Sequence, residues 1–276
     1  MNEFDETAVA EAYNRGLALE KAGDREGAAK AYRRALALDP DDHGGVSVRL
    51  AAMGLGATPE KMPDAYVATL FDQHADDFDD ILVERLRYCV PMQLRELLCG
   101  KGERRLGRVL DLGCGTGLTG VALRDRADHI TGVDLSERIV ELAFDREVYD
   151  DLYVGEAVEF LEDFEDDDGG RPRWDLIVAT DVFPYLGAIE PIISAAADRL
   201  EPGGRFGFST ETLPEPAFAG QRYVVGPRQR FAHSEPYLRS VLEAYGFALT
   251  AVQQITVRLE DGDPVPGHLV LAYRAG

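Results

Sequence analysis

Residues 109–123, VLDLGCGTGLTGVAL, join an apolar run containing an acid to four glycines within eight residues, and then to a second apolar stretch. A strand that turns through glycines into a helix is the ligand-binding corner of an open α/β sheet. Glycine reaches backbone conformations closed to other residues, and its bare amides let a ligand approach closely. Gly115, Gly117 and Gly120 spell G-x-G-x-x-G, a spacing used for dinucleotides. Asp111 with Gly113, Gly115 and Gly117 outlines a different pocket on the same backbone. A dinucleotide sets its pyrophosphate against this turn, where a preceding carboxylate repels it. S-adenosylmethionine carries an ammonium and a sulfonium and no phosphate, so Asp111 tips the reading toward that cofactor.

The remaining pattern supplies the other walls of such a pocket. Apolar runs at 108–112, 130–133, 152–154, 174–179, 205–209, 247–256 and 268–273 are separated mostly by helix-like segments, which predicts a doubly wound α/β sheet. The last two runs are joined by LEDGDPVPG, which suits a hairpin and therefore an antiparallel edge. Asp134, followed by Leu135, ends the second run, where an acid can accept hydrogen bonds from both ribose hydroxyls. Glu156 and Ala157 follow the third run and are expected at the adenine edge, while Thr180 and Asp181 follow the fourth at the same rim.

The formal charge of −21 argues against a nucleic-acid partner, because phosphate backbones reward clustered Lys and Arg. The acidic start MNEFDETAVAEAYN has no basic head or apolar run, and no stretch approaches the ~20 apolar residues of a membrane span, so neither a secretory signal nor a membrane partner is expected and the cytoplasm is the expected compartment. Cys89, Cys99 and Cys114 lack metal-ligand spacing, and no metal is expected.

Residues 8–42 read as a helical hairpin in which Gly23 ends the first helix and Asp24 caps the second. Gly16, Gly23, Ala28, Tyr32, Ala35 and Pro40 resemble a tetratricopeptide repeat, with Ala12 at the usual early aromatic position. One and a half repeats cannot build a long concave groove, so this part is expected to cap the main domain or to dock a protein. Three parts follow: 1–57, repeat-like; 58–107, linker and lid helices; 108–276, the sheet domain. In the second part Val67, Leu70, Phe71, His74, Phe78, Ile81, Leu82 and Leu86 form an apolar stripe at helical spacing.

VLDLGCGTG, GVDLS, GEA, DLIVATDVFPYL and LEPGGRF, in this order, resemble the class I S-adenosylmethionine-dependent methyltransferases over about residues 65–274. With the repeat-like start, LFDQHADDFDDILVERLRYCVP and QRYVVGPRQRFAHSEPYLRSVLEAYGF, the chain is similar to a bacterial group of tetratricopeptide-containing predicted methyltransferases. The resemblance implies a Rossmann-like seven-stranded sheet with one antiparallel strand, with S-adenosylmethionine as cofactor and S-adenosylhomocysteine as product. Phe71 and His74 are expected to close over the cofactor; related lids carry tyrosine where His74 stands, so no hydroxyl role carries over.

Acceptor-side candidates are Tyr185 and the stretch 211–237, which holds Arg222, Arg228, Arg230, His233 and Tyr237. Arg230 and its neighbours suit an acidic or phenolic small molecule, with His233 as a base, while the opposing reading makes Arg230 structural and His233 a packing residue. A protein acceptor or a cofactor-binding adaptor, docked through the repeat-like segment, is the alternative function. A nicotinamide oxidoreductase needs a pyrophosphate beside Asp111, and the chain offers no Tyr-x-x-x-Lys pair.

Overall fold

The computed structural model describes residues 6–75, 79–99, 105–226 and 228–275, and within these all side chains except those of His74, Asp80, Ile81 and Glu84. The glycine-interrupted strand lies at the centre of the sheet. β1 (Arg108–Leu112) pairs in parallel with β2 (His129–Asp134) and with β4 (Trp174–Ala179), and β3 (Asp151–Val154) is added beyond β2. β5 (Leu200–Glu211) continues the parallel run beside β4. β9 (Asp263–Arg274) then runs antiparallel to both β5 and β8 (Phe247–Glu260). The path β3-β2-β1-β4-β5-β9-β8 is thus a seven-stranded sheet with one reversed strand. The hairpin turns on Asp261 and Gly262, both at positive φ, as a two-residue connection with this twist demands.

Two strands fall where no apolar run marks them. β6 (Tyr223–Val225) and β7 (Phe231–His233) form a short antiparallel hairpin, and β7 attaches to the end of β5 through Glu211 and Ala232. They are three residues each, too short for alternation to show.

Alternation along the strands divides the core. Leu110, Leu112, Ile177 and Phe208 pack with the helices α8 (Ala157–Asp163), α9 (Glu190–Arg199) and α10 (Glu235–Ala244). Val109, Ile130, Val178 and Leu271 pack with α5 (Val90–Cys99) and α6 (Leu118–Leu123) on the opposite face.

The repeat-like segment folds as three helices, α1 (Glu6–Lys21), α2 (Arg25–Leu38) and α3 (Val46–Ala52). Asp24 caps α2 by accepting from the Gly27 amide at 2.9 Å. Tyr32 fills the notch at Gly16, where a Cβ would lie 2.3 Å from its ring, which is why the two helices approach so closely. Val48 of α3 packs with Met62 and Phe231, so this segment rests on the β6–β7 hairpin. The chain then crosses the carboxyl end of the sheet, where the Met62 amide donates to the Tyr185 carbonyl at 2.8 Å and the Gly187 and Ala188 amides donate to the Glu60 carbonyl at 2.7 Å. That crossing delivers α4 (Asp64–His74) over the glycine turn, and α4 docks on α7 (Glu137–Asp145) through the Ser136 hydroxyl and Asp72. A wide-wound π-helical turn, Asp80–Arg85, follows α4. No helix among the described residues is long and apolar enough to cross a membrane.

Candidate active site

Gly113, Gly115 and Gly117 all adopt positive φ, at 62°, 55° and 99°. A Cβ on Gly113 would sit 2.4 Å from Val182 Cγ2, so glycine is required there for both conformation and space. The turn is tied to β2: the Cys114 amide donates to the Val133 carbonyl, and the Gly115 amide to Asp134 Oδ2, each at 2.9 Å. The Ser136 amide donates to Asp134 Oδ1 at 3.0 Å.

Above the turn lies a cleft walled by the tips of β1 to β4 and roofed by α4. It gathers Phe71, Gly113, Cys114, Gly115, Asp134, Leu135, Glu156, Ala157, Thr180, Asp181 and Tyr185 from the positions singled out in the sequence. It adds Met62, Asp64, Val67, Leu82, Tyr88, Thr119 and Val182, which the sequence did not nominate. Phe71 meets Tyr185 edge to face at 5.4 Å, and the Thr119 and Thr180 hydroxyls share a hydrogen bond of 2.8 Å. Burial pushes the Tyr185 phenol up to about 12, with Arg230 pulling the other way. The charged groups on the described lining are Asp64, Asp134, Glu156 and Asp181, all of them acids.

Several expectations need correction. Asp111 does not line the cleft; it is 1 % exposed behind the turn, accepting from the Tyr149 hydroxyl at 2.7 Å on Oδ2, while Oδ1 has no hydrogen-bond partner among the described residues. Burial raises its pKa to about 7, against the pull of Tyr149. Gly117 also lies off the lining, covered by Arg146, Val148 and Tyr149. Glu156 reaches the cleft, but its Oε2 caps α8 by accepting from the Val158 and Glu159 amides at 2.7 and 2.9 Å. The His74 side chain and Phe78 lie outside the described residues.

The acceptor-side basic cluster is not at the cleft. His233 is fully buried, and its Nε2–H donates to the Leu186 and Gly187 carbonyls at 2.8 and 3.2 Å. Burial depresses its pKa to about 4, so it is a neutral packing residue. Tyr237 is buried too; its hydroxyl donates to Glu190 and accepts from the Ile189 amide at 3.0 Å, clamping α10 to α9. Arg222 pairs with Glu190 at 2.7 Å and Arg228 with Glu260 at 2.6 Å. Arg230 bridges Glu260 and Glu211 at 3.3 and 3.5 Å. These bases, which flank β6 and β7, meet carboxylates rather than the cleft: Glu190 at the start of α9, Glu211 at the end of β5 and Glu260 at the end of β8.

The unforeseen member of that network is Arg258, which is 1 % exposed and bonded to Asp181, Glu211 and Glu260. It carries no signal in the sequence, because in ITVRLE it stands with Thr256 and Glu260 at the polar positions of the alternation. Tyr149 has no signal either, because the notches that admit its ring, Gly120 and Gly132, lie on other elements.

The chain matches the family model described as a methyltransferase domain over residues 82–252, and the tetratricopeptide repeat model over residues 9–42. The ubiquinone biosynthesis O-methyltransferase of Xylella fastidiosa (strain 9a5c) is 30 % identical over 122 residues, which are 43 % of this chain and 49 % of that protein. The chain thus spans about half the length of the curated relatives it matches. The magnesium protoporphyrin IX methyltransferase ChlM from Synechocystis PCC 6803, solved with bound S-adenosylmethionine, superposes with a TM-score of 0.55 at 16 % identity, covering 77 % of this chain and 97 % of that one. The [4+2]-cyclase SpnF superposes at 0.61 with 17 % identity, covering 79 % and 98 %. At such identities these two likenesses establish the fold.

Proposed function

We propose that this chain, which belongs to the methyltransferase-domain family, transfers a methyl group from S-adenosylmethionine to a hydroxyl of a small, neutral acceptor with an apolar or aromatic body. The observation that carries this reading is the charge of the cleft. On the described lining Asp64 and Glu156 share Lys61 and Asp181 is paired with Arg258, whereas Asp134 has no cationic partner among the described residues, and the buried carboxylate of Asp111, with one oxygen unbonded among those residues, stands behind the glycine turn. Such a site favours a cationic ligand and opposes a pyrophosphate.

The residues fit the cofactor. Asp134 is partly exposed and can accept from ribose hydroxyls, Leu135 and Ala157 offer apolar contact to the base, and Phe71 lies on the roof. The bare backbone at Gly113 and Gly115 admits the amino-acid portion, whose ammonium Asp111 favours through space. When bound, the cofactor supplies a methyl group on a sulfonium, an electrophile that needs no further activation. The protein's work is then to align the acceptor and exclude water. Met62, Val67, Leu82, Tyr88 and Tyr185 furnish an apolar, aromatic chamber for that purpose. The Xylella relative is an O-methyltransferase, which supports a hydroxyl acceptor. Paired arginines and an acidic lining disfavour a carboxylate acceptor.

Calorimetric titration with S-adenosylmethionine, S-adenosylhomocysteine and NAD, on the wild type and on Asp134→Ala, tests the cofactor. Binding of the adenosyl ligands and not NAD, weakened about tenfold or more in the variant by loss of charge-assisted hydrogen bonds, is expected. Because a cyclase shares this fold, transfer of a tritiated methyl group to hydroxylated aromatics is measured as well. NAD binding alone would overturn the proposal, as would exclusive methylation of benzoates.

A further inference from the structure

The far wall of the cleft contains a device that cofactor binding does not call for. Asp181 holds φ at 61°, a left-handed conformation that a non-glycine residue keeps only where its surroundings hold it there. Two contacts enforce it here. Its amide donates to Ser209 Oγ at 2.9 Å, and its Oδ1 accepts from Arg258 Nη1 at 3.2 Å. The rest of the Arg258 guanidinium is occupied, with Nε on Glu260 at 2.7 Å and Nη2 on Glu211. Arg230 joins Glu211 and Glu260, and Arg228 joins Glu260. Asp181, Glu211 and Glu260 therefore face Arg228, Arg230 and Arg258, a balanced cluster around an arginine with almost no exposure.

A buried ion cluster adds little stability over packed apolar side chains, but it holds each member in one geometry. The member that reaches the cleft is Asp181. Its second carboxylate oxygen makes no hydrogen bond with any described residue, and the residue stands on the cleft wall with Thr180, Tyr185 and Val182. We propose that Asp181 is the acceptor-binding residue, its free oxygen accepting a hydrogen bond from the acceptor's hydroxyl and taking that proton as the hydroxyl oxygen bonds to the methyl carbon and the methyl–sulfur bond breaks to leave neutral S-adenosylhomocysteine, and that Arg258 is a positioning residue that aims this oxygen. The proposal rests on the methyltransferase reading and narrows it. A fixed carboxylate selects an acceptor that can donate a hydrogen bond, and it rejects an anion. The side chain thereby moves from the cofactor rim expected from the sequence to the acceptor side.

The full-length protein, radiolabelled S-adenosylmethionine and catechol as probe acceptor test this. Asp181→Asn preserves shape and tolerates the left-handed backbone. It is expected to bind S-adenosylhomocysteine within twofold of wild type while losing about 100-fold in kcat/KM for catechol, the size of effect that a positioned proton-accepting group provides. Arg258→Lys keeps a charge but not the fork; it is expected to lose about tenfold in kcat with the S-adenosylhomocysteine affinity intact. The double variant is expected to fall no lower than Asp181→Asn, since both substitutions act on one oxygen. If Arg258→Lys does not fold, Asp181→Asn alone decides. Wild-type turnover of catechol by Asp181→Asn overturns the assignment, as do additive losses in a folded double variant. A wild type that binds S-adenosylhomocysteine but neither binds nor methylates catechol overturns it as well. A wild type that binds neither adenosyl ligand instead refutes the methyltransferase reading itself.

Discussion

At the scale of single residues, two buried groups give opposite pH signatures. His233 has its pKa depressed by burial from 6.5 to about 4. Its contribution to stability is complete above the unfolded value and is lost as pH falls toward 4, at most about 3 kcal/mol. Urea unfolding at pH 7.5 and 4.5 is expected to show this loss in the wild type and much less of it in His233→Gln. The same burial removes His233 from the pH–rate profile as a base. Asp111 shifts the other way, raised to about 7, so its contribution is full in acid and declines as pH rises through 7. A cationic ligand nearby favours the ionised form. S-adenosylmethionine affinity should therefore tighten from pH 6 to pH 8, and Asp111→Asn should flatten that dependence in calorimetry. The types and spacing of these residues were legible in the sequence, but their environments were not. A histidine three residues from an arginine looks like a basic patch until strand register sends one into the core and the other onto carboxylates.

At the scale of elements, the glycine turn works because a tyrosine from another part of the chain braces it. The Tyr149 ring lies against Gly120 and Gly132, and its hydroxyl reaches Asp111. A Cβ on Gly120 would sit 2.7 Å from the ring. Gly120→Ala is thus expected to cost about 1–3 kcal/mol, as overpacked sites do, and to displace the Tyr149 hydroxyl from Asp111. Thermal unfolding checks the first effect. A change in the pH dependence of S-adenosylmethionine binding checks the second. The third glycine of G-x-G-x-x-G was readable as a motif, whereas its physical reason, the ring of Tyr149, lies outside the motif. Long strands and the Asp-Gly hairpin were readable because each repeats its pattern or concentrates it in two residues. The three-residue strands β6 and β7 do neither.

At the scale of the molecule, the repeat-like helices are tied to the sheet domain. α3 places Val48 beside Met62 and Phe231, and the chain that leaves it becomes the roof of the cleft. Removing residues 1–57 uncovers that contact beneath the start of α4. The truncated protein is expected to unfold at a temperature several degrees lower, by the usual scale for loss of about 1 kcal/mol or more in packing. Methylation of a small acceptor should persist below that temperature. Loss of turnover in a truncated protein that remains folded and binds S-adenosylhomocysteine would instead favour an acceptor delivered by the repeat-like segment.

By itself the sequence determined the parts whose causes are local. Apolar runs marked the seven principal strands, closely spaced glycines marked the turn, and the caps and small residues of the first hairpin marked the helices. Only the tertiary structure decided which charges meet. Arg258 and Asp181 are separated by 77 positions and come together through the pairing of β8 with β9, β9 with β5 and β5 with β4. Long-range register of this kind depends on the packing of whole strands, and no short stretch of residues encodes it.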